Sequence, residues 1–158
     1  MSRRVPDYLD LADRSWPLLR RLMGLHGAIY RVTGGRLGGR VPGMPPTMLL
    51  LEHTGARSGE RRTTPLIYMR DGDHLVIVAS KGGYPRNPAW LHNIRAHPGV
   101  EVQLGDERFA ARAREAEGAE RQRLWPALLA HYPPWGRYQE RTERRIPVVV
   151  LEPAERKR

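Results

Sequence analysis

The sequence predicts an α+β fold that is mainly β, a small antiparallel barrel with helices packed on it. Two observations lead to this fold class. From residue 47 onward, short apolar and β-branched runs follow one another, and turn signals such as Asp-Gly and Gly-Asp join several of them. Two stretches between these runs have the composition of helices instead. The length of 158 residues suits one such domain with an appendage.

The predicted strands occupy the apolar runs in chain order. These are TMLLLEH (47–53), TTPLIYMR (63–70), HLVIVAS (74–80), VEVQL (100–104), ERFAARARE (107–115) and IPVVVLEP (146–153). Asp71-Gly72-Asp73 and Gly105-Asp106 are hairpin signals, so they predict tight turns between the strands that flank them. Short connections of this kind favour antiparallel neighbours.

Two helices are predicted between the strands. NPAWLHNIRAHP is typical of a short helix that Asn87 caps, with Pro88 in its first turn and Pro98 after its end. Residues 118–131 predict a second helix, which Pro126 is expected to kink. The segment that follows, YPPWGRYQERTERR, is predicted to be an aromatic and basic connection.

Residues 1–46 form a separate N-terminal segment that ends in the Gly- and Pro-rich linker GGRLGGRVPGMPP. Within it, residues 14–33 place five aliphatic side chains at helical spacing, namely Leu18, Leu22, Leu25, Ile29 and Val32. Arginines flank this stripe, so the helix can lie on an anionic membrane. Alternatively, the stripe packs on the rest of the protein. The barrel domain is expected over residues 47–153, and residues 154–158 are a basic tail.

Composition narrows the compartment and the class of partner. The chain has no cysteine, no signal-peptide pattern and no run near the roughly 18 apolar residues that span a bilayer. We therefore expect a cytoplasmic protein, with contact at the inner membrane face as the open alternative. A net charge of +10 calls for an acidic partner: nucleic acid, an anionic bilayer or a polyanionic cofactor. No nucleic-acid-binding motif is present, so nucleic acid is not expected.

Common catalytic patterns are missing. GARSG is not a nucleophile elbow, GGRLGG follows no strand, and the histidines lack metal-ligand spacing. No metal site is therefore predicted. If the chain is an enzyme, an organic cofactor carries its chemistry.

Two loops have the residues of an anion site. In GARSGERR, a tight turn combines guanidinium groups with a hydroxyl and accessible backbone N–H groups, a mixture that suits phosphate or carboxylate. In ASKGG, Gly82 and Gly83 would let a ligand approach the backbone. Lys81 and Lys157 are the only lysines among 27 basic residues, so Lys81 indicates a slim, rotatable donor at this position. An ordinary exposed charge at the end of a strand is the alternative interpretation, and this residue alone favours it.

The order of these motifs is specific. G-x-x-[ST]-G-x-x-R-x-x-P-L-x-Y is followed by D-G-D, V-A-S-K-G-G, N-P-x-W-x-x-N-I-x-A-x-P and R-x-I-P-V-V-V-x-E-P. The matching positions run from Gly55 to Arg62 and then through Pro65, Leu66, Tyr68, Ala79, Ser80, Lys81, Gly82, Gly83, Asn87, Pro88, Trp90 and Asn93 to Arg145, Ile146 and Pro147. This pattern resembles the deazaflavin-dependent nitroreductase family, actinobacterial proteins that use coenzyme F420 on a split β-barrel.

The resemblance implies an oxidoreductase that transfers a hydride from F420H2 to a quinone-like or nitroaromatic acceptor. It implies that the cofactor is held by Arg57, Ser58, Gly59, Arg62, Pro65, Leu66, Ala79, Ser80, Lys81, Gly82, Trp90 and Asn93. It implies an acceptor site with Ser80, Tyr132, Trp135 and Tyr138 as the catalytic groups. Trp135 stands where a prodrug-activating member has tyrosine, which favours quinones over bicyclic nitroimidazoles.

Three alternatives stay open at this point. The same barrel can bind FMN, although the arginines and Lys81 favour the more anionic deazaflavin. The chain can also be a non-catalytic protein that binds the cofactor or a membrane surface, and Tyr132 and Tyr138 can form a lid that only packs. A homodimer is expected because split barrels commonly pair across their open face.

Overall fold

The computed structural model describes residues 48–154, which form six strands and three α-helices. The strands are β1 (Met48–Thr54), β2 (Arg61–Asp71), β3 (His74–Val78), β4 (Gly99–Leu104), β5 (Glu107–Glu115) and β6 (Val148–Pro153). The helices are α1 (Ala89–Ala96), α2 (Gly118–His131) and α3 (Pro134–Glu140), and a single 3-10 turn spans Lys81–Gly83. The predicted N-terminal helix lies outside the described residues.

The strands close into an antiparallel barrel in the order β1-β2-β3-β6-β5-β4. Every pair of neighbours is antiparallel. Both predicted hairpins are present, since Asp71 pairs with His74 and Leu104 pairs with Glu107. The expected fold class is confirmed.

The barrel has an inner core and a second core on one outer face. Inward-facing residues such as Leu49, Ile77 and Val149 fill the barrel, and α1 adds Trp90 and Leu91 to the same cluster. The opposite faces of β3 and β6 are buried under α2 and α3 in a second cluster. Because alternate side chains of a strand point to opposite faces, burial on both faces explains why β3 and β6 are apolar without interruption.

The structure corrects three local expectations. A helix, α3, occupies part of the predicted connection, because Pro134 sits in its first turn, where the missing N–H costs nothing. Asn87 does not cap α1: Pro88 holds the N-cap position and no side chain caps it. The last strand begins at Val148 rather than at residue 146.

Within residues 48–154, no helix is long and apolar enough to span a membrane. The same part of the chain has no cluster of three or more histidines and acidic residues that could hold a metal ion.

Candidate functional site

Strand direction brings the two candidate loops to one end of the barrel. β1 runs toward this end and β2 runs away from it, so residues 55–60 form the turn between them. β3 returns to the same end, where Val78 pairs with Val148 at the start of β6. Residues 79–84 leave β3 here, and residues 141–147 enter β6 here. We call residues 55–60 the arginine turn and residues 79–84 the lysine turn.

The arginine turn is closed by its own backbone. The N–H of Gly55 donates to the Glu60 carbonyl at 2.8 Å, and the N–H of Gly59 donates to the Gly55 carbonyl at 2.9 Å. The Ser58 hydroxyl accepts from the N–H of Glu60 at 3.3 Å. A Cβ at Gly55 would lie 2.5 Å from this hydroxyl, so any side chain there would force Ser58 out of its present position. The result is a compact, exposed turn with Ser58 folded over it.

The arginines of this region are not equivalent. Arg57 is exposed and makes no hydrogen bond or ion pair within the described chain. Arg62 pairs with Glu60 at 3.2 Å, and both side chains are largely exposed. Arg61 pairs with Glu52 at 2.7 Å. Arg57 therefore offers a ligand an uncommitted guanidinium, whereas Arg62 would first have to leave a weak surface partner.

One buried link ties the arginine turn to α1. The N–H of Ala56 donates to Asn93 Oδ1 at 2.9 Å, and Asn93 Nδ2 donates to His53 Nδ1 at 3.1 Å. The ring of His53 is then protonated at Nε2, which donates to Thr64 Oγ1 at 3.0 Å. Burial, with a smaller contribution from the Arg62 charge, lowers the pKa of His53 to about 4. Asn93, on α1, thus links the arginine turn to His53 on β1.

The lysine turn has an unusual backbone. Lys81 has a φ of 45°, Gly82 follows with 63° and Gly83 with 80°. Nothing lies within 4 Å of the position that a Cβ would take at Gly82, so this face of the turn is open. The Lys81 ammonium lies 4.9 Å from the ring centre of Tyr84, an exposed aromatic.

The Ser80 hydroxyl faces the same region. Ser80 is 9% exposed, and its hydroxyl makes no hydrogen bond within the described chain. Among the described residues, only Gln103 Oε1 is a fully buried side-chain polar atom without a partner, so the Ser80 hydroxyl does not belong to that class. The Ser80 hydroxyl is therefore not fully buried, and it has no hydrogen-bond partner among the described residues.

Gly83 does not keep the approach to the turn open, contrary to expectation. A Cβ at Gly83 would lie 2.5 Å from the carbonyl oxygen of Tyr138 and 3.0 Å from the Cβ of Arg141. Gly83 is therefore the point where the lysine turn packs directly on the backbone of α3. Of the two glycines, Gly82 serves access and Gly83 serves packing.

Arginines after α3 hold the lysine turn, and sequence reasoning missed them. Arg144 donates to the carbonyl oxygens of Ala79 at 3.2 Å and Ser80 at 2.7 Å. It also donates to the Tyr84 carbonyl at 2.7 Å and to Asn87 Oδ1 at 2.8 Å. Arg144 is the arginine of R-x-I-P, two positions before Ile146, whereas Arg145 was matched to this pattern from the sequence alone. The pattern was the available signal, but a pattern alone does not reveal a partner about 60 residues away.

The predicted acceptor residues divide into half-buried and buried groups. Tyr132 and Tyr138 are half-buried. Trp135 is 3% exposed and lies in the second core, where its ring meets that of Tyr132 edge to face at 5.2 Å. Trp90 is 6% exposed and lies in the inner core. Both tryptophan side chains are therefore almost fully buried within the described chain.

The first part of β2 has no strand partner on the side that faces β3. On the β3 side, β2 is paired only from Tyr68 to Asp71, where β3 supplies the partners. Pro65 and Leu66 pair with β1 on the other side and are half-buried. Within the described chain, their β3-facing edge thus has no strand partner.

Comparison with known proteins decides the family. The profile of the F420H2-dependent quinone reductase family matches residues 22–153. The chain belongs to this family. It is an F420H2-dependent oxidoreductase, and the expectations of a redox enzyme with coenzyme F420 as its cofactor are confirmed at this level.

Individual relatives agree with the family. An F420H2-dependent quinone reductase of Mycobacterium tuberculosis is 49% identical over 134 residues, which is 83% of this chain and 89% of the relative. The solved structure of an F420H2-dependent reductase, FDR-A, is 42% identical, with a TM-score of 0.62 over 66% of this chain and 93% of that chain. A structure described as a domain-swapped dimer is 34% identical, with a TM-score of 0.65 over 89% of this chain and 98% of that chain.

Proposed function

We propose that this chain transfers a hydride from F420H2 to a quinone-like or nitroaromatic acceptor at the barrel end that carries the arginine turn and the lysine turn. The observation that carries this proposal is the lysine turn itself. It combines an open backbone at Gly82, a free hydroxyl at Ser80 and an ammonium at Lys81, beside an unpaired edge of β2. That set of groups fits a flat ring attached to an anionic tail.

The arginine turn suits the tail. Arg57 is exposed and uncommitted, and the backbone at Gly59 has open space around it. Guanidinium groups bind phosphate and carboxylate oxygens through paired hydrogen bonds. Arg62 can join because its ion pair with Glu60 is exposed and therefore weak. Asn93 acts through the turn, since its amide already bonds Ala56 and His53.

The lysine turn and β2 suit the ring. Reduced deazaflavin supplies a hydride to a two-electron acceptor. The protein's part is to hold the reacting atoms about 3–3.5 Å apart and to exclude water. We assign contact with the ring to the β2 edge at Pro65 and Leu66 and to the backbone of Ala79 and Gly82.

Tyr138 and Ser80 are our candidates for donors to the acceptor. A hydroxyl that donates to the developing oxyanion stabilises the transition state more than the ground state. Tyr132 is our candidate for the aromatic wall, with Trp135 behind it. We expect Tyr138→Phe to slow quinone reduction while F420 affinity stays nearly unchanged. A large loss of F420 affinity in this variant would remove Tyr138 from the acceptor side.

The deciding experiment is a fluorescence titration of the full chain with F420 and, separately, with FMN. Tight binding of F420 and weak binding of FMN, followed by quinone-dependent oxidation of F420H2, is the expected result. The reverse preference would retain the fold and reject the assigned site. Tight F420 binding without turnover of any quinone or nitroaromatic compound would favour a non-catalytic binding protein.

Two finer proposals concern assembly and membrane contact. We propose a homodimer, which is supported by the relative whose structure is described as a domain-swapped dimer. Light scattering of the purified chain tests it, and a monomer mass at micromolar concentration contradicts it. We also propose peripheral membrane contact through the N-terminal segment. Deletion of residues 1–40 should then abolish association with anionic liposomes.

A further inference from the structure

Arg144 lies on the segment that enters β6, and its side chain bonds the lysine turn. Its Nη2 reaches two consecutive carbonyls, those of Ala79 and Ser80. Its Nε reaches the Tyr84 carbonyl on the far side of the turn. Its Nη1 reaches Asn87 Oδ1, just before α1. One planar guanidinium thus holds the start, the end and the exit of the turn.

No carboxylate takes part in this arrangement. Within the described chain, the guanidinium of Arg144 bonds three backbone carbonyl oxygens and one side-chain amide oxygen. Burial lowers the pKa of Arg144, but a guanidinium stays protonated in proteins. Its positive charge is therefore not cancelled by a bonded anion, and it adds to the potential that an anionic cofactor meets at this end of the barrel.

The turn needs such support because its backbone is strained. Lys81 is the one described residue other than glycine with a positive φ, and L residues reach this region at a cost. Within the turn, the only backbone bonds are from Gly83 to Ser80 at 2.9 Å and from Tyr84 to Lys81 at 3.2 Å. Strained backbone persists where surrounding contacts over-determine it, and Arg144 supplies three hydrogen bonds to carbonyls of the turn.

Arg141 and α3 complete the support. Arg141 Nη1 donates to the Gly82 carbonyl at 2.8 Å. Gly83 lies against the Tyr138 backbone, so the turn and α3 touch without intervening side chains. The segment that holds the proposed cofactor turn is thus continuous with the helix that carries the proposed acceptor residue.

We infer that Arg144 is a positioning residue that holds the lysine turn in the shape that presents Ser80, Lys81 and the open face of Gly82 to the cofactor. This inference rests on the proposed function for the identity of the ligand. The shape of the turn does not depend on it. Lysine cannot replace Arg144, because an ammonium is a compact point donor and cannot span oxygens on opposite sides of the turn.

The test compares Arg144→Lys with Arg145→Lys in the full chain. Both substitutions keep the charge, and Arg145 is an exposed neighbour without a hydrogen bond or ion pair in the described chain. Hydrogen exchange without ligand, followed by mass spectrometry of peptides that cover residues 79–87, reports the shape of the turn. We expect at least about 10-fold faster exchange in Arg144→Lys and no change in Arg145→Lys.

F420 affinity is measured on the same proteins by fluorescence titration. We expect the Kd to rise at least about 10-fold in Arg144→Lys and to stay within about 2-fold in Arg145→Lys. Irreversible loss of folded protein would lower the amplitude of the titration and leave its midpoint unchanged. Asn87→Ala removes one partner of Arg144 without touching the arginine, and it should give a smaller rise in the same direction.

The outcomes separate this inference from the proposed function. Unchanged exchange and unchanged Kd in Arg144→Lys overturn the inference. Faster exchange with an unchanged Kd overturns its cofactor part, because the shape of the turn would then not matter for binding. If the wild-type chain binds no F420 but exchange still differs between the two variants, the proposed function fails while Arg144 retains its role in the turn.

Discussion

The arginine turn and the lysine turn lie at the same end of the barrel, yet they are held in different ways. The arginine turn is closed by bonds between residues at most five positions apart, such as Gly55 to Glu60. The side-chain bonds to the lysine turn and its exit come from Arg141 and Arg144, 57 to 65 residues further along the chain. The arginine turn is thus stabilised mainly by local bonds, and the lysine turn mainly by bonds from the segment before β6.

This difference supports our proposal that the two turns bind different parts of the cofactor. A locally closed, exposed turn with a free Arg57 can adapt to a mobile, charged tail without disturbing the barrel. A turn that packs on α3 and is spanned by Arg144 cannot shift without moving the helix. Accurate placement of a reacting ring requires the second kind of support, since small displacements reduce the rate of transfer.

The largest expected effect comes from Gly83→Ala. The new Cβ would meet the Tyr138 carbonyl at 2.5 Å on a backbone with a φ of 80°, so the turn and α3 must separate. We expect a loss of about 2–4 kcal/mol in the free energy of unfolding, measured by urea denaturation. Gly82→Ala is the matched control: it has a similar φ and open space, and should cost only about 1 kcal/mol. Equal losses of unfolding free energy in the two variants would contradict the packing role of Gly83.

A pH dependence tests the link from the arginine turn through Asn93 to His53. The pKa of His53 is about 4 in the folded chain against 6.5 for the free side chain, so below pH 6.5 the unfolded state takes up a proton that the native state does not. The free energy of unfolding should therefore fall from pH 6.5 toward pH 4, by up to about 1.4 kcal/mol per pH unit.

Stability curves of His53→Gln and His92→Gln isolate this effect. His53→Gln removes the group, so its slope in this range should be shallower than that of the wild-type chain. His92 is exposed on α1, and its replacement should leave the slope unchanged. Parallel curves for all three proteins would mean that His53 titrates normally and does not anchor the turn as a neutral ring.

Arg57→Gln tests whether the arginine turn binds the cofactor. Loss of the uncommitted guanidinium should raise the Kd for F420 about 10-fold, or about 1.4 kcal/mol, and should weaken the dependence of Kd on salt. Arg112→Gln removes the same charge from an exposed position on β5 and should change the Kd by less than about 2-fold. Equal effects would indicate that net charge, rather than the turn, attracts the cofactor.

The smallest effect is expected from Gly59→Ala. Gly59 has a φ of 69° with no atom within 4 Å of the new Cβ, so the cost is backbone strain alone, about 1 kcal/mol. We expect the thermal midpoint to fall slightly and the hydrogen exchange of residues 79–84 to remain unchanged. Faster exchange in the lysine turn would show that the two turns are coupled.

Elements with local signals were predicted well. β5 and α2 have the predicted bounds, and both hairpins follow Gly and Asp. The missed helix, α3, lies behind tandem prolines that indicate a loop as readily as a first helical turn. Asn87 was expected to cap α1 because the spacing is right, but its side chain bonds Arg144 instead.

Within the candidate site, the structure shows where the predicted residues lie, and their roles stay predictions. Ser80, Lys81 and Gly82 lie together on one turn, as their adjacency requires. Trp90 and Trp135 were expected at the ligand, and both lie in hydrophobic cores, where large aromatic rings bury the most surface. The assignment of cofactor and acceptor contacts to single residues stays a proposal.

Residue order alone was enough to specify the strands, the hairpins, the family and the two loops that we propose to bind the cofactor, because each depends on neighbours within a few positions. Contacts between distant parts of the chain settled the rest. Whether a glycine gives access or packing, and which arginine holds the turn, depends on what β3, α3 and β6 bring together. Spacing along the chain does not contain that information, since antiparallel pairing joins Val78 to Val148.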